Sequence, residues 1–130
     1  MRKKTDTRRP CILAVDDAAV SLHVISAALS DTYQVIALTK PTMLEEVLRN
    51  ITPELFLLDY KMPEMSGFDL IPVIRSFEQH RETPIIMLTA LGTMEKVSSA
   101  VGYGACDIIT KPFEPGLLRE RIARQLKKSV

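Results

Sequence analysis

No apolar run in this chain exceeds five residues, far short of the ~20 that a membrane-spanning helix requires. No apolar stretch follows the basic N-terminus, as a secretory signal would need. Membrane insertion is therefore not expected, and a cytoplasmic location is. Cysteine is scarce as well: Cys11 and Cys106 stand far apart, with no Cys-x-x-Cys or Cys/His cluster. That spacing suggests neither a zinc site nor a redox dithiol and leaves two buried, reduced thiols as the expectation. There is no Gly-x-x-x-x-Gly-Lys stretch, which removes a phosphate-loop nucleotide enzyme. What is present is ordinary for one globular domain: 130 residues, 46% apolar and 25% charged. A chain of that size buries roughly two-thirds of its unfolded surface and needs no metal or disulfide staple.

The net charge of +1 conceals an uneven distribution. Met1 to Arg9 and Arg119 to Val130 each carry five basic residues against one acidic, whereas Pro10 to Leu118 is acidic by seven charges. An acidic body suits a cation site better than a nucleic-acid groove, so no direct nucleic-acid partner is expected. The first ten residues, polar, basic and closed by Pro10, read as a leader or linker, and residues 11–128 as the folded domain.

From Cys11 onward short apolar runs alternate with segments of helical period. Cys11 to Val15 is a strand buried on both faces, ending in Asp16-Asp17. Ala18, Leu22, Ile25 and Leu29 mark a helix, and Tyr33 to Leu38 a second strand. Pro41 to Ile51 reads as a helix in which Thr42 and Glu45 form a capping box. Leu55 to Asp59 repeats the first pattern, an apolar run closed by a carboxylate. Ser66, with Asp69 at the third position, caps a helix whose core face is Leu70, Val73 and Ile74. Pro84 to Thr89 is a strand ending in a hydroxyl residue. Thr93 to Tyr103 reads as a fourth helix, Asp107 to Thr110 as a last strand, and Pro115 opens a helix with a Leu118, Ile122 and Leu126 stripe. Strand and helix thus alternate five times, which predicts a parallel, doubly wound α/β sheet with ligands gathered beyond the carboxyl ends of its strands.

Four polar groups occupy those ends: Asp16-Asp17, Asp59, Thr89 and Lys111. Taken singly, each is an ordinary turn former, cap or loop residue. Their coincidence on four different runs is the signal. Three converging carboxylates repel one another unless a cation joins them, and a hard divalent ion with oxygen ligands, Mg²⁺ or Mn²⁺, is the natural candidate. Beside such an ion an aspartate is a competent nucleophile toward a phosphoryl group, and an ammonium stabilises the charged oxygens as the bond forms.

The stretches Val15-Asp16-Asp17, Leu57-Leu58-Asp59-Tyr60-Lys61-Met62-Pro63-Glu64-Met65-Ser66-Gly67, Pro84-Ile85-Ile86-Met87-Leu88-Thr89-Ala90 and Thr110-Lys111-Pro112-Phe113 together resemble the receiver domain of two-component response regulators. The resemblance runs from about Ile12 to Leu126. It implies a flavodoxin-like five-stranded sheet of order 2-1-3-4-5 with five helices, and a signalling switch rather than an enzyme. It implies that Asp59 accepts a phosphoryl group from a histidine kinase or phosphotransfer protein. It further implies that Asp17 and Asp59 bind Mg²⁺, helped by Asp16 through water and by the Lys61 backbone carbonyl. Thr89 would then bond the phosphoryl oxygens and Lys111 pair with them. The switch position three residues before the lysine, often aromatic in this family, is Ile108 here. Lys61 and Leu91, two residues beyond Asp59 and Thr89, are expected to border the water that ends the phosphorylated state and so to tune its lifetime. The output is expected to pass to an effector or output domain through the fourth helix, fifth strand and fifth helix. Glu95, Asp107 and Glu120 alternate there with Lys96, Arg119 and Arg121, a pattern suited to a weak homodimer. A phosphatase of the haloacid dehalogenase type would need a second carboxylate two residues after its nucleophile, where this chain has Lys61. A receiver-like module that is never phosphorylated is disfavoured by the intact set Asp17, Asp59, Thr89 and Lys111.

Overall fold

A computed structural model describes residues 9–90 and 104–128. Its strands are β1 (Cys11–Val15), β2 (Gln34–Leu38), β3 (Leu55–Asp59), β4 (Ile85–Ala90) and β5 (Asp107–Lys111). They form one parallel sheet of order β2-β1-β3-β4-β5. The helices are α1 (Ala19–Leu29), α2 (Leu44–Leu48), α3 (Gly67–Arg75) and a final helix, Pro115–Lys128. The helix expected over Thr93 to Tyr103 lies outside the described residues.

Successive strand residues point to opposite faces, so the apolar runs feed two cores. On one face Leu13, Val15, Phe56, Leu58, Ile85 and Met87 meet Leu44 and Leu48 of α2 and Leu70, Ile71 and Ile74 of α3. On the other, Ile12, Ala14, Leu55, Leu57, Ile86 and Leu88 meet Leu22, Ile25 and Leu29 of α1 and Leu118 and Ile122 of the final helix. Each such Leu or Ile contributes about 1.5–3 kcal/mol when fully buried. β3 is buried along its whole length, as a central strand covered on both faces must be.

Three local expectations are corrected. Thr42 and Glu45 form no capping box: Pro41 opens a 3-10 turn, Pro41–Met43, so Thr42 lies inside the turn, and no side chain caps it or α2. Glu45 instead accepts a hydrogen bond from Arg49 at 3.1 Å, one turn on. The inner face of α3 is Gly67, Leu70, Ile71 and Ile74, with Val73 only half-buried. The cysteines are not buried either: Cys106 is exposed and Cys11 half-buried, and no disulfide joins them. They sit just before an edge strand and at the mouth of β1, where the sheet gives less cover. The cap expected on α3 is present, the Ser66 N–H donating to Asp69 Oδ2 at 2.9 Å. The final helix begins with Pro115 and uses a cap not anticipated, the Leu117 N–H donating to Glu114 Oε1 at 3.0 Å.

Candidate functional site

Parallel register brings the polar strand ends together. Val15 pairs with Leu58, which puts Asp16 and Asp59 on neighbouring strands, and Asp59 pairs with Leu88, one residue before Thr89. Thr89 pairs with Thr110 and Ala90 with Lys111, which carries the ammonium to the same edge. One oxygen from each of Asp16, Asp17 and Asp59 lies within 4.8 Å of the others.

The three acids are not equivalent. Asp16 is fully buried; its Oδ1 accepts the Ala18 N–H at 2.9 Å and its Oδ2 accepts Lys111 Nζ at 2.7 Å. Asp17 is exposed. Asp59 is 6% exposed, and its Oδ1 accepts Lys111 Nζ at 3.0 Å. Burial pushes the Asp59 carboxyl up to about 6, Asp16 and Asp17 add repulsion, and the Lys111 bond pulls the other way. Burial disfavours the Lys111 ammonium, but its bonds to both carboxylates outweigh that and hold it above its ordinary value. This is the balance expected of an acid pocket with one cation too few. An all-oxygen set of three carboxylates fits a hard divalent ion such as Mg²⁺.

Below the pocket, the loop after Asp59 folds back on itself. The Tyr60 N–H donates to Leu88 O at 2.7 Å and the Gly67 N–H to Tyr60 O at 2.9 Å. Lys61 bridges Ser66 in antiparallel fashion, and Met62 is buried beneath. A Cβ on Gly67 would come within 2.7 Å of the Asp59 carbonyl oxygen and 2.6 Å of Met87 Sδ, so only glycine lets α3 start this close to the acid. Lys61 is exposed. Thr89 is buried, its hydroxyl donating to Ala90 O at 3.4 Å. Ile108 pairs with Met87 and is half-buried against the α2 and α3 core. Leu91 lies outside the described residues.

Sequence reasoning passed over two features. One is Gly67, whose signal was its place between a cap and an apolar helix. The other is a cavity of about 400 Å³ beside Lys111, lined by Val20, Ser21 and Val24 of α1 and by Pro112 and Phe113. Val20 is 76% exposed; its signal was an apolar residue off the Leu22, Ile25 and Leu29 stripe.

The family model described as response regulator receiver domain matches residues 12–123. Chemotaxis protein CheY1 of Helicobacter pylori is 32% identical over 85% of this chain and 92% of its own length. The DNA-binding response regulator MtrA of Mycobacterium tuberculosis is 33% identical over 95% of this chain but only 54% of its own length. MtrA thus qualifies the expectation that nucleic acid plays no part, since sequences like this one occur inside DNA-binding regulators. Among solved structures, chemotaxis protein CheY4 of Vibrio cholerae superposes with a TM-score of 0.83 at 29% identity, covering 90% of this chain and 98% of that one. Among the described residues, no helix is long and apolar enough to cross a membrane.

Proposed function

The chain belongs to the response regulator receiver domain family, and from that premise we propose that it is a phosphorylation-operated switch in which Asp59 accepts a phosphoryl group from a histidine kinase or phosphotransfer protein. The observation that carries the reading is the single ammonium of Lys111 shared between buried Asp16 and Asp59 in a pocket of three acids. In the transfer an Asp59 carboxylate oxygen forms the new bond to phosphorus while the donor's bond to phosphorus breaks. Lys111 exchanges its Asp59 oxygen for a phosphoryl oxygen, and the Thr89 hydroxyl donates to another. Asp17 and Asp59, with Asp16 through water and the Lys61 carbonyl, would hold Mg²⁺, and the ion would supply positive charge that lowers the repulsion between the acids and the incoming group. The reading assigns residues 11–128 to the receiver and 1–10 to a basic leader, and a cytoplasmic setting suits both. Catalysis is limited to self-phosphorylation from a donor and slow self-dephosphorylation.

A small acyl phosphate, supplied with and without Mg²⁺, tests the assignment. Uptake should require the ion and the modified peptide should contain Asp59. Asp17→Ala should raise the Mg²⁺ concentration needed by tenfold or more. Label on any other residue, or uptake indifferent to Mg²⁺, would remove the reading.

The lifetime of the phosphorylated state is assigned in part to Lys61. Lys61 stands two residues after Asp59 and is exposed; its ammonium would compete with water for the phosphoryl oxygens while its stem narrows the approach. Lys61→Asn should therefore shorten the phosphoprotein half-life several-fold, read by decay of radiolabelled protein; equal decay rates would end the idea.

A weak homodimer belongs to the same reading, with the portion at Glu95 and Lys96 outside the described residues. Asp107 already pairs with Arg121 at 2.8 Å and Glu120 with Arg124 at 2.9 Å. A second copy would exchange these pairs for equivalent ones; the Glu120–Arg124 pair is exposed and the Asp107–Arg121 pair half-buried, and exposed pairs are worth about 0–1 kcal/mol each. The association should be weak and sensitive to salt.

A further inference from the structure

The two ends of α3 grip different parts of the molecule. At its first residue, Gly67 sits against the Asp59 backbone, with no room for a Cβ between them. At its last, the Arg75 guanidinium donates to three carbonyl oxygens: His80 O at 2.8 Å, Thr83 O at 2.7 Å and Gly104 O at 2.7 Å. Thr83 stands two residues before β4 and Gly104 three before β5, so one side chain ties the bases of the two strands whose far ends carry Thr89 and Lys111. Gly104 itself has φ +115, the left-handed region, and a Cβ added there would lie 3.1 Å from Ile71 Cγ2 of the same helix. Two residues of α3, Ile71 and Arg75, thus form a seat for the residue at which the chain turns into β5. Among the described residues Arg75 has no ion-pair partner; its charge is spent on carbonyls alone. Half-buried, it makes charge-assisted bonds that are costly to break singly.

The contacts close a circuit. Asp59 touches Gly67, α3 carries nine residues, about 13 Å of helix with Pro72 inside it, to Arg75, Arg75 holds Gly104, and β5 runs from there to Lys111, which returns to Asp59. We propose that α3 is a transmission element of the switch, with Gly67 its input and Arg75 its output, delivering a change at Asp59 to the Gly104 turn at the base of β5. Arg75 is a positioning residue in this scheme, since it touches no reacting group. The proposal rests on Asp59 being the phosphoryl acceptor, and it supplies a route to β5 that needs no aromatic side chain at position 108.

The test is amide hydrogen exchange on the full chain, with and without beryllofluoride and Mg²⁺ as the acyl-phosphate mimic. Tyr60 reports occupancy of Asp59, and Cys106, whose N–H donates to Ile85 O at 2.8 Å, reports the base of β5. In the parent the mimic should change exchange at both, at Cys106 by threefold or more. In Arg75→Met the Tyr60 response should persist and the Cys106 response should disappear; Arg75→Lys, which keeps a charge but cannot span three carbonyls, should retain part of it. A purely structural role would lower protection in both states and leave the Cys106 ratio as in the parent, which would overturn the proposal. So would a parent in which Tyr60 responds and Cys106 does not. A parent in which neither responds would instead remove the phosphoryl-acceptor reading, and this proposal with it.

Discussion

Asp59→Asn is expected to abolish phosphoryl uptake and, in the absence of Mg²⁺, to make the protein more stable than its parent. The first effect follows from losing the nucleophilic oxygen while keeping the shape. The second follows from the carboxyl being pushed up to about 6 from its ordinary 3.8 by burial and by its acidic neighbours. A carboxyl raised in this way favours folding while it is protonated. That contribution is complete below about 3.8 and is lost as pH rises through about 6. At about 1.4 kcal/mol per pKa unit the loss approaches 3 kcal/mol by neutral pH. Asparagine has no proton to lose, so the variant escapes the penalty. Urea unfolding with a chelator present should show the variant ahead by about 2–3 kcal/mol at neutral pH and level with the parent in acid. Mg²⁺ should narrow or reverse the gap, because an ion that binds the folded parent stabilises it by mass action. Equal stabilities at neutral pH without the ion would show that the pocket does not strain Asp59, and persistent label on the variant would show that it is not the acceptor.

Lys111→Met should produce the largest loss of stability. The side chain is similar in length, so packing changes little, but Asp16 is wholly buried and would keep only its bond to the Ala18 N–H. Removing one partner of a buried pair costs about 3 kcal/mol or more, chiefly the penalty of the charge left behind. Without the Lys111 bond that pulls it down, Asp59 should hold its proton to higher pH, so the deficit should grow as pH rises and shrink in acid. Phosphoryl uptake should fall by about 10²–10³, the usual result of deleting one donor to developing charge. A variant as stable as the parent at neutral pH would mean that the contacts at 2.7 and 3.0 Å carry no net energy.

Much of this architecture was legible because the strands are buried on both faces. An apolar run stopped by Asp16, Asp59 or Thr89 can be read without knowing its neighbours, and the observed strands agree to within a residue at each end. Helix starts were less legible, since capping depends on which residue comes first: Pro41 seized that place and left Thr42 inside the turn, whereas Ser66 kept it. Side chains that serve backbone carbonyls leave no periodic mark at all. Arg75 looks like any basic residue at a helix end, yet it joins three separated segments. His80 is fully buried, its Nδ1 2.8 Å from Thr83 Oγ1 and its ring edge-on to Phe56 at 5.1 Å, and nothing in its sequence surroundings announces that. The acid pocket was legible as a set of residues, but its internal division, with Asp16 committed to Lys111 and Asp17 open to solvent, required the register of five strands.

The sheet order has a consequence for how the molecule comes into being. β5 is an edge strand paired with β4 alone, yet it brings the one ammonium that, among the described residues, bonds the acids. A nascent chain emerges from its N-terminus, so Asp16, Asp17 and Asp59 are all available before Lys111 exists. Until β5 docks, like charges resist the approach of the very loops that the first four strands would bring together. An incomplete chain therefore carries an electrostatic penalty against settling into a compact imitation of the finished fold, and the same docking step that seals the sheet relieves it.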